Sequence, residues 1–157
     1  MKKVIIAIMI LIMVLALTGC GVEIPDENGP DNFNLATITV GNIVNMDLGA
    51  SSYSVSPSSE DEDYMTTMTK VKGKEFSGVA ELYQTNLIGK SDMTVYLDNI
   101  SVESGNFKVL VLLDDEIVHE FNNQEMLQEC ELKDVKGSLS VKIAGETADF
   151  KCWMQVW

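Results

Sequence analysis

From Met93 onward, apolar side chains recur at every second position, and this period of two constrains the fold more than any other feature of the 157-residue chain. Met93, Val95 and Leu97 alternate with Thr94, Tyr96 and Asp98. Leu139, Val141 and Ile143 alternate with Ser138, Ser140 and Lys142, which predicts a half-buried strand with one wet face. Ala148, Phe150, Cys152, Met154 and Val156 line one face of a last strand. Successive strand side chains point to opposite faces, whereas a helix repeats every 3.6 residues, so these runs fit strands and not helices.

Other runs are less regular. Phe107, Val109, Val111 and Leu113 alternate with Lys108, Leu110 and Leu112, so both faces of that strand should be buried. Asp114-Asp115-Glu116 reads as a turn, with Ile117 to Phe121 returning as the hairpin partner. Gly145-Glu146 reads as another reversal. Thr37-Ile38-Thr39-Val40 and Ile43-Val44-Asn45-Met46 look like short strands divided by Gly41-Asn42. Gln124 to Leu127 could start a short helix, but Met126, Gln128, Cys130 and Leu132 also fit one face of a strand. Gly49 to Thr69 is polar and reads mainly as loop, with room for an edge strand near Tyr53 to Val55. Short strands separated by Gly, Asn and Asp turns imply an all-β domain over residues 35–157, an antiparallel β-sandwich of about seven or eight strands.

The start of the chain speaks of address. Met1-Lys2-Lys3 is followed by the apolar stretch Val4 to Leu17 and then by Leu17-Thr18-Gly19-Cys20. That order of positive end, greasy middle and small residues resembles a bacterial lipoprotein signal with its lipobox. A spanning helix needs about 20 apolar residues, more than this run provides, and no A-x-A-like secretory cleavage site precedes Cys20. The resemblance implies a diacylglycerol thioether on Cys20, removal of residues 1–19, and a mature chain beginning at Cys20. Two acyl chains hold a protein on a membrane far more firmly than one. The stretch from Gly105-Asn106-Phe107 through Gly137-Ser138-Leu139 to the end is also similar to the closing hairpins of small extracytoplasmic sandwich lipoproteins. That similarity implies no activity.

Charge narrows the partners. All 24 acidic residues follow Cys20, two of the 11 basic residues precede it, and none is arginine. The mature portion therefore carries a formal charge of −15. Nucleic-acid binders need a basic face rich in Arg, so no nucleic-acid partner is expected. The same charge disfavours direct adhesion to an anionic membrane. Residues 20–34 read as the lipidated Cys20 followed by a flexible linker, Gly21 to Asn34, rich in Pro, Gly, Asp and Asn. Fourteen residues of coil span about 20 Å, beyond a Debye length of about 8 Å. The abundance of Met, Ile, Asn and Lys without Arg points to an AT-rich genome, and with the leader to lipid anchoring on the outer face of a Gram-positive cell membrane.

Few residues suggest chemistry. Alternation turns Cys130 and Cys152 inward, as a disulfide closing a loop of about 23 residues or as two buried thiols. His119, the one histidine, has no G-x-S-x-G elbow in the sequence to serve and reads as structural. The acidic runs Glu60 to Asp63 and Asp114 to Glu116 lack calcium-loop spacing and read as solvated loops. No cofactor or metal site is expected, and no enzymatic constellation is legible. Trp153 and Trp157 share a strand face with Lys151 and Gln155, opposite the apolar row, with the indoles about 13 Å apart. That face is either a platform for an envelope ligand or protein partner, or a surface that the domain itself covers. The sequence reading is thus a non-enzymatic binding module, with a structural or sensory accessory and an envelope-polymer enzyme as alternatives.

Overall fold

The computed structural model describes residues 35–58 and 68–157. The leader, Cys20, the linker and the acidic run Glu60 to Asp63 lie outside the described residues. The domain is all-β and antiparallel. After helix α1 (Val40–Asn45) come strands β1 (Ser51–Ser58), β2 (Met68–Leu113), β3 (Glu116–Glu120) and β4 (Leu127–Val156) in one sheet. Strand β1 lies beside β2 with Val55 opposite Val71, and β3 beside the end of β2 with Leu110 opposite Glu120.

Two strands are far longer than the runs read from sequence: β2 has 46 residues and β4 has 30. Their ladder extends from Thr69 opposite Met154 to Leu113 opposite Leu139. The two strands meet more than once. Val71 and Leu97 are both in the part of β2 that flanks the end of β4, opposite Cys152 and Met154, while Val95 also pairs with Cys130 at the start of β4. Segments that read as separate strands are joined because their junctions are bends rather than reversals. Gly145-Glu146 is the clearest correction: Leu139 to Ile143 and Ala148 to Val156 belong to the same strand. The bend there is made by Thr147 in the left-handed region (φ 49°) and by a register shift between Ser104/Asp149 and Asn106/Glu146. Gly105 (φ 74°) lies across from it, where a Cβ would strike the Thr147 carbonyl. Bulges and positive-φ residues let a ladder turn without ending.

The main core holds four phenylalanines, Phe76, Phe107, Phe121 and Phe150, of which three form a cluster. Phe107 and Phe150 stack with centroids 3.8 Å apart, and Phe76 meets them edge-on at 6.3 and 5.4 Å. Gly145 permits this cluster, since a Cβ there would enter the Phe76 ring. Val95, Leu97, Val109, Val111, Leu139, Val141 and Ile143 complete the wall as alternation predicts.

The other face of residues 107–113 and 139–145 is also covered. Leu110, Leu112, Val79 and Ala144 pack against Ile38 and Ile43. This is where the early part of the chain departs from the sequence reading. Val40–Asn45 is a helix, not a strand, and its start is fixed by a reciprocal cap between Thr39 and Asn42. Six residues cannot hold a helix alone. The cap, a left-handed Met46 (φ 56°) and burial of Ile43 do so together. The supposedly wet Ser140 and Lys142 are consequently buried, at 6% and 4% exposure. Lys142 Nζ donates to the carbonyls of Ile43 (3.1 Å) and Val44 (3.0 Å), so its charge is met by helix carbonyls that lack intrahelical partners.

Just before the helix, the Glu146 carboxylate receives the Ala36 N–H (3.0 Å), the Thr37 N–H and hydroxyl (both 2.6 Å) and the Asn106 amide (3.1 Å). Burial pushes this carboxyl up, but the bonds from Thr37, Asn106 and Ala36 outweigh it and hold the pKa down at about 2. Glu146 therefore clips the first described residues to the sheet.

Candidate functional site

The face beyond the reach of that covering segment carries the residues singled out from sequence. Lys151, Trp153 and Gln155 project from β4 on the side opposite the buried Cys152 and Met154. The ladder adds neighbours that sequence alone does not place beside them. Trp153 lies between Lys70 and Asp98, Lys151 between Lys72 and Ser101, and Gln155 beside Tyr96. Strand β1 extends the face with Ser54 and Ser56, opposite Lys72 and Lys70.

Trp153 is only partly exposed, and its ring is engaged. The Lys151 ammonium sits 4.1 Å from the ring centroid and that of Lys70 5.2 Å. Each such cation–π contact is worth about 0.5–1 kcal/mol at an exposed site. The indole thus gathers positive charge rather than offering a free face for stacking. Trp157 behaves differently. It is 54% exposed, leans on Tyr96 at 6.0 Å, and exchanges backbone hydrogen bonds with Thr94 at 2.8 and 3.1 Å. The final backbone is therefore fixed while its ring stays open. Tyr96 has its phenol pKa raised by burial first and by the nearby Asp98 and Glu129 carboxylates second.

Lys72 and Lys151 stand directly opposite each other. Like charges in that relation destabilise a sheet. Among the described residues, neither forms an ion pair, and nor do Lys70 and Lys74. Lys72 and Lys74 also line a shallow groove of about 650 Å³ with Ser52, Tyr53, Ser54, Gly73 and Glu75. The sequence signal for this cluster was the period-two run Lys70, Lys72, Lys74. That run does not by itself place Lys151 beside it, because pairing is a relation between strands.

The remaining candidates take structural places. Cys130 and Cys152 are buried free thiols. Cys130 reaches β4's last turn of ladder through Val95, which pairs with both Cys130 and Val156. Two strand spacings and four residues of rise separate the cysteines by about 16 Å, too far for a bond. Burial raises both thiol pKa values, that of Cys152 to about 12, so neither is a ready nucleophile. His119 packs edge-on against Phe121 at 4.7 Å, with its pKa lowered by burial against the opposing pull of Glu120. Asp114 and Asp115 form the β2–β3 hairpin turn with φ of 49° and 66°, and Asp114 accepts the Ser138 N–H. Among the described residues, no group of His, Cys, Asp and Glu is arranged to hold a metal ion, and no helix is long and apolar enough to cross a membrane.

No protein-family model matches this chain, and no curated protein matches it in sequence.

Proposed function

We propose that this chain is a lipid-anchored extracytoplasmic lipoprotein whose domain is a non-enzymatic binding module for a cell-envelope ligand or protein partner. The binding surface is the sheet face bearing Lys151, Trp153, Gln155 and Trp157, carried on a sheet folded over as a β-sandwich. The observation that supports the reading is that no described segment covers this face. It combines an open Trp157, a lysine-flanked Trp153 and a like-charge pair, Lys72 and Lys151, that does nothing for stability. Features that cost stability and face solvent are where a ligand can gain from them. The Leu17-Thr18-Gly19-Cys20 leader supplies the membrane attachment.

Two measurements test this. Cys20→Ala should leave an unprocessed, unacylated chain by intact mass, and a wild-type mature mass without acyl groups refutes the anchor. The full chain in detergent should co-sediment with isolated cell envelopes, and Trp153→Ala with Trp157→Ala should reduce that binding without unfolding the domain. No co-sedimentation by the wild type refutes the module.

A further inference from the structure

We infer that Lys70, Lys72, Lys74 and Lys151 form a stripe that binds a phosphodiester-linked polyol polymer of the envelope, by charge rather than by ring stacking. This rests on the reading of the domain as an envelope-binding module.

Four of the nine lysines that follow Cys20 converge here, in a portion whose net charge is −15. Lys70 and Lys72 are outer-face neighbours along β2, spaced by about 6.6 Å of strand rise, and exposed Lys74 continues the line. Lys151 stands across from Lys72, so two ammoniums can approach the two free oxygens of one phosphodiester. The charge of the rest of the domain is screened beyond about 8 Å. Asp98 and Glu129 lie on the side of Trp153 away from β1, while Asp149, two residues before Lys151 on the same face, and Glu75, beside Lys74 in the groove, bound the stripe at its other end. A polyanion is thereby centred on Lys70, Lys72 and Lys151, between these two groups of carboxylates.

The indole geometry decides between polymers of equal charge. A uronic-acid polysaccharide would draw affinity from sugar rings stacked on tryptophan, but Lys151 and Lys70 already occupy the surroundings of the Trp153 ring. A ring would have to displace an ammonium that the same ligand needs. An acyclic polyol phosphate has no such conflict.

The experiment measures binding of the full chain in detergent to poly(glycerol phosphate), polygalacturonate and neutral dextran. Poly(glycerol phosphate) should bind, with affinity falling about 20- to 50-fold from 50 to 200 mM salt, as expected for three or four neutralised charges. K72Q/K151Q should weaken binding at least about tenfold, while the distant K90Q/K136Q should not. The urea midpoint of K72Q/K151Q should change little, because relief of the like-charge pair opposes loss of the Lys151–Trp153 contact. Equal binding of polygalacturonate, or wild-type affinity in a folded K72Q/K151Q, overturns the inference. Envelope co-sedimentation without poly(glycerol phosphate) binding overturns the ligand class but leaves the module standing. Loss of both removes the module as well.

Discussion

Lys142 and Lys151, five residues before and four residues after Thr147 at the bend in β4, show how differently one strand can use the same side chain. Lys142 is 4% exposed beneath α1 and spends its ammonium on the Ile43 and Val44 carbonyls. Lys151 is exposed, hangs over Trp153, and faces another lysine across the ladder. The difference lies in coverage. Over residues 107–113 and 139–145 the second sheet face is roofed by the segment around α1, whereas no described segment roofs the face around Trp153. The roofed region is organised for stability. The unroofed one keeps charge and aromatic surface in contact with solvent.

Substitutions should separate the two regions by size of effect. The largest loss is expected under the roof. Leu112→Ala, at a fully buried position, should cost about 2–5 kcal/mol in urea unfolding. A loss within about 0.5 kcal/mol, the usual size for a surface site, would show that α1 does not seal this face.

Next comes Lys142→Ala. It removes two charge-assisted hydrogen bonds and strands two helix carbonyls, so about 2–3 kcal/mol should be lost. If Lys142→Met proves as stable as wild type, packing of the stem and not the ammonium holds the helix.

The Glu146 clip should appear as a pH dependence. Its folded pKa of about 2 lies below the ordinary glutamate value, so its contribution is complete above about pH 4.5 and drains away as pH falls toward 2. Glu146→Gln should flatten the stability profile across that window and leave its shape near neutrality unaltered. An identical acid limb in the variant would assign the acid sensitivity to other carboxylates.

The smallest stability effects belong to the unroofed face. Lys151→Gln should change stability by no more than about 1 kcal/mol, the lost cation–π contact being offset in part by relief of the Lys72 repulsion, and Trp153→Ala by about 1–2 kcal/mol through its lost lysine contacts. A loss of several kcal/mol for Trp153→Ala would place the indole in the core and erase the contrast between the regions.

These contrasts also explain what could be read before folding. The inward face was legible where alternation was strict, as at Phe150, Cys152 and Met154, and the outward one where no described segment roofs it, as at Lys151. The double burial of Leu110 and Leu112 was legible too, since an apolar run without alternation has no wet face. What covers them was not. Val40, Ile43 and Val44 are β-branched and suggested strand, while the helix was announced only by the weak signal of Thr39 and Asn42 at cap spacing. Lys142 then misled in turn, because a lysine in an alternating strand looks solvated until its roof is known. Bends posed the same difficulty, since Gly145-Glu146 has turn composition but the ladder carries on through it. The lysine cluster needed register, and register is a relation between strands that periodicity within one strand does not contain.

The Glu146 clip also sets where load enters the domain. Among the described residues, those nearest the N-terminal side that bond to the sheet are Ala36 and Thr37, whose bonds all end on one side chain. Those three bonds are peeled outward before any rung between β2 and β4 is strained. The next elements in line are the α1 turn and the Lys142 bridge, whose release uncovers Leu110 and Leu112. Release of that roof would bare an apolar strip on a sheet whose β2–β4 ladder, with Trp153 and its lysines, does not depend on those bonds.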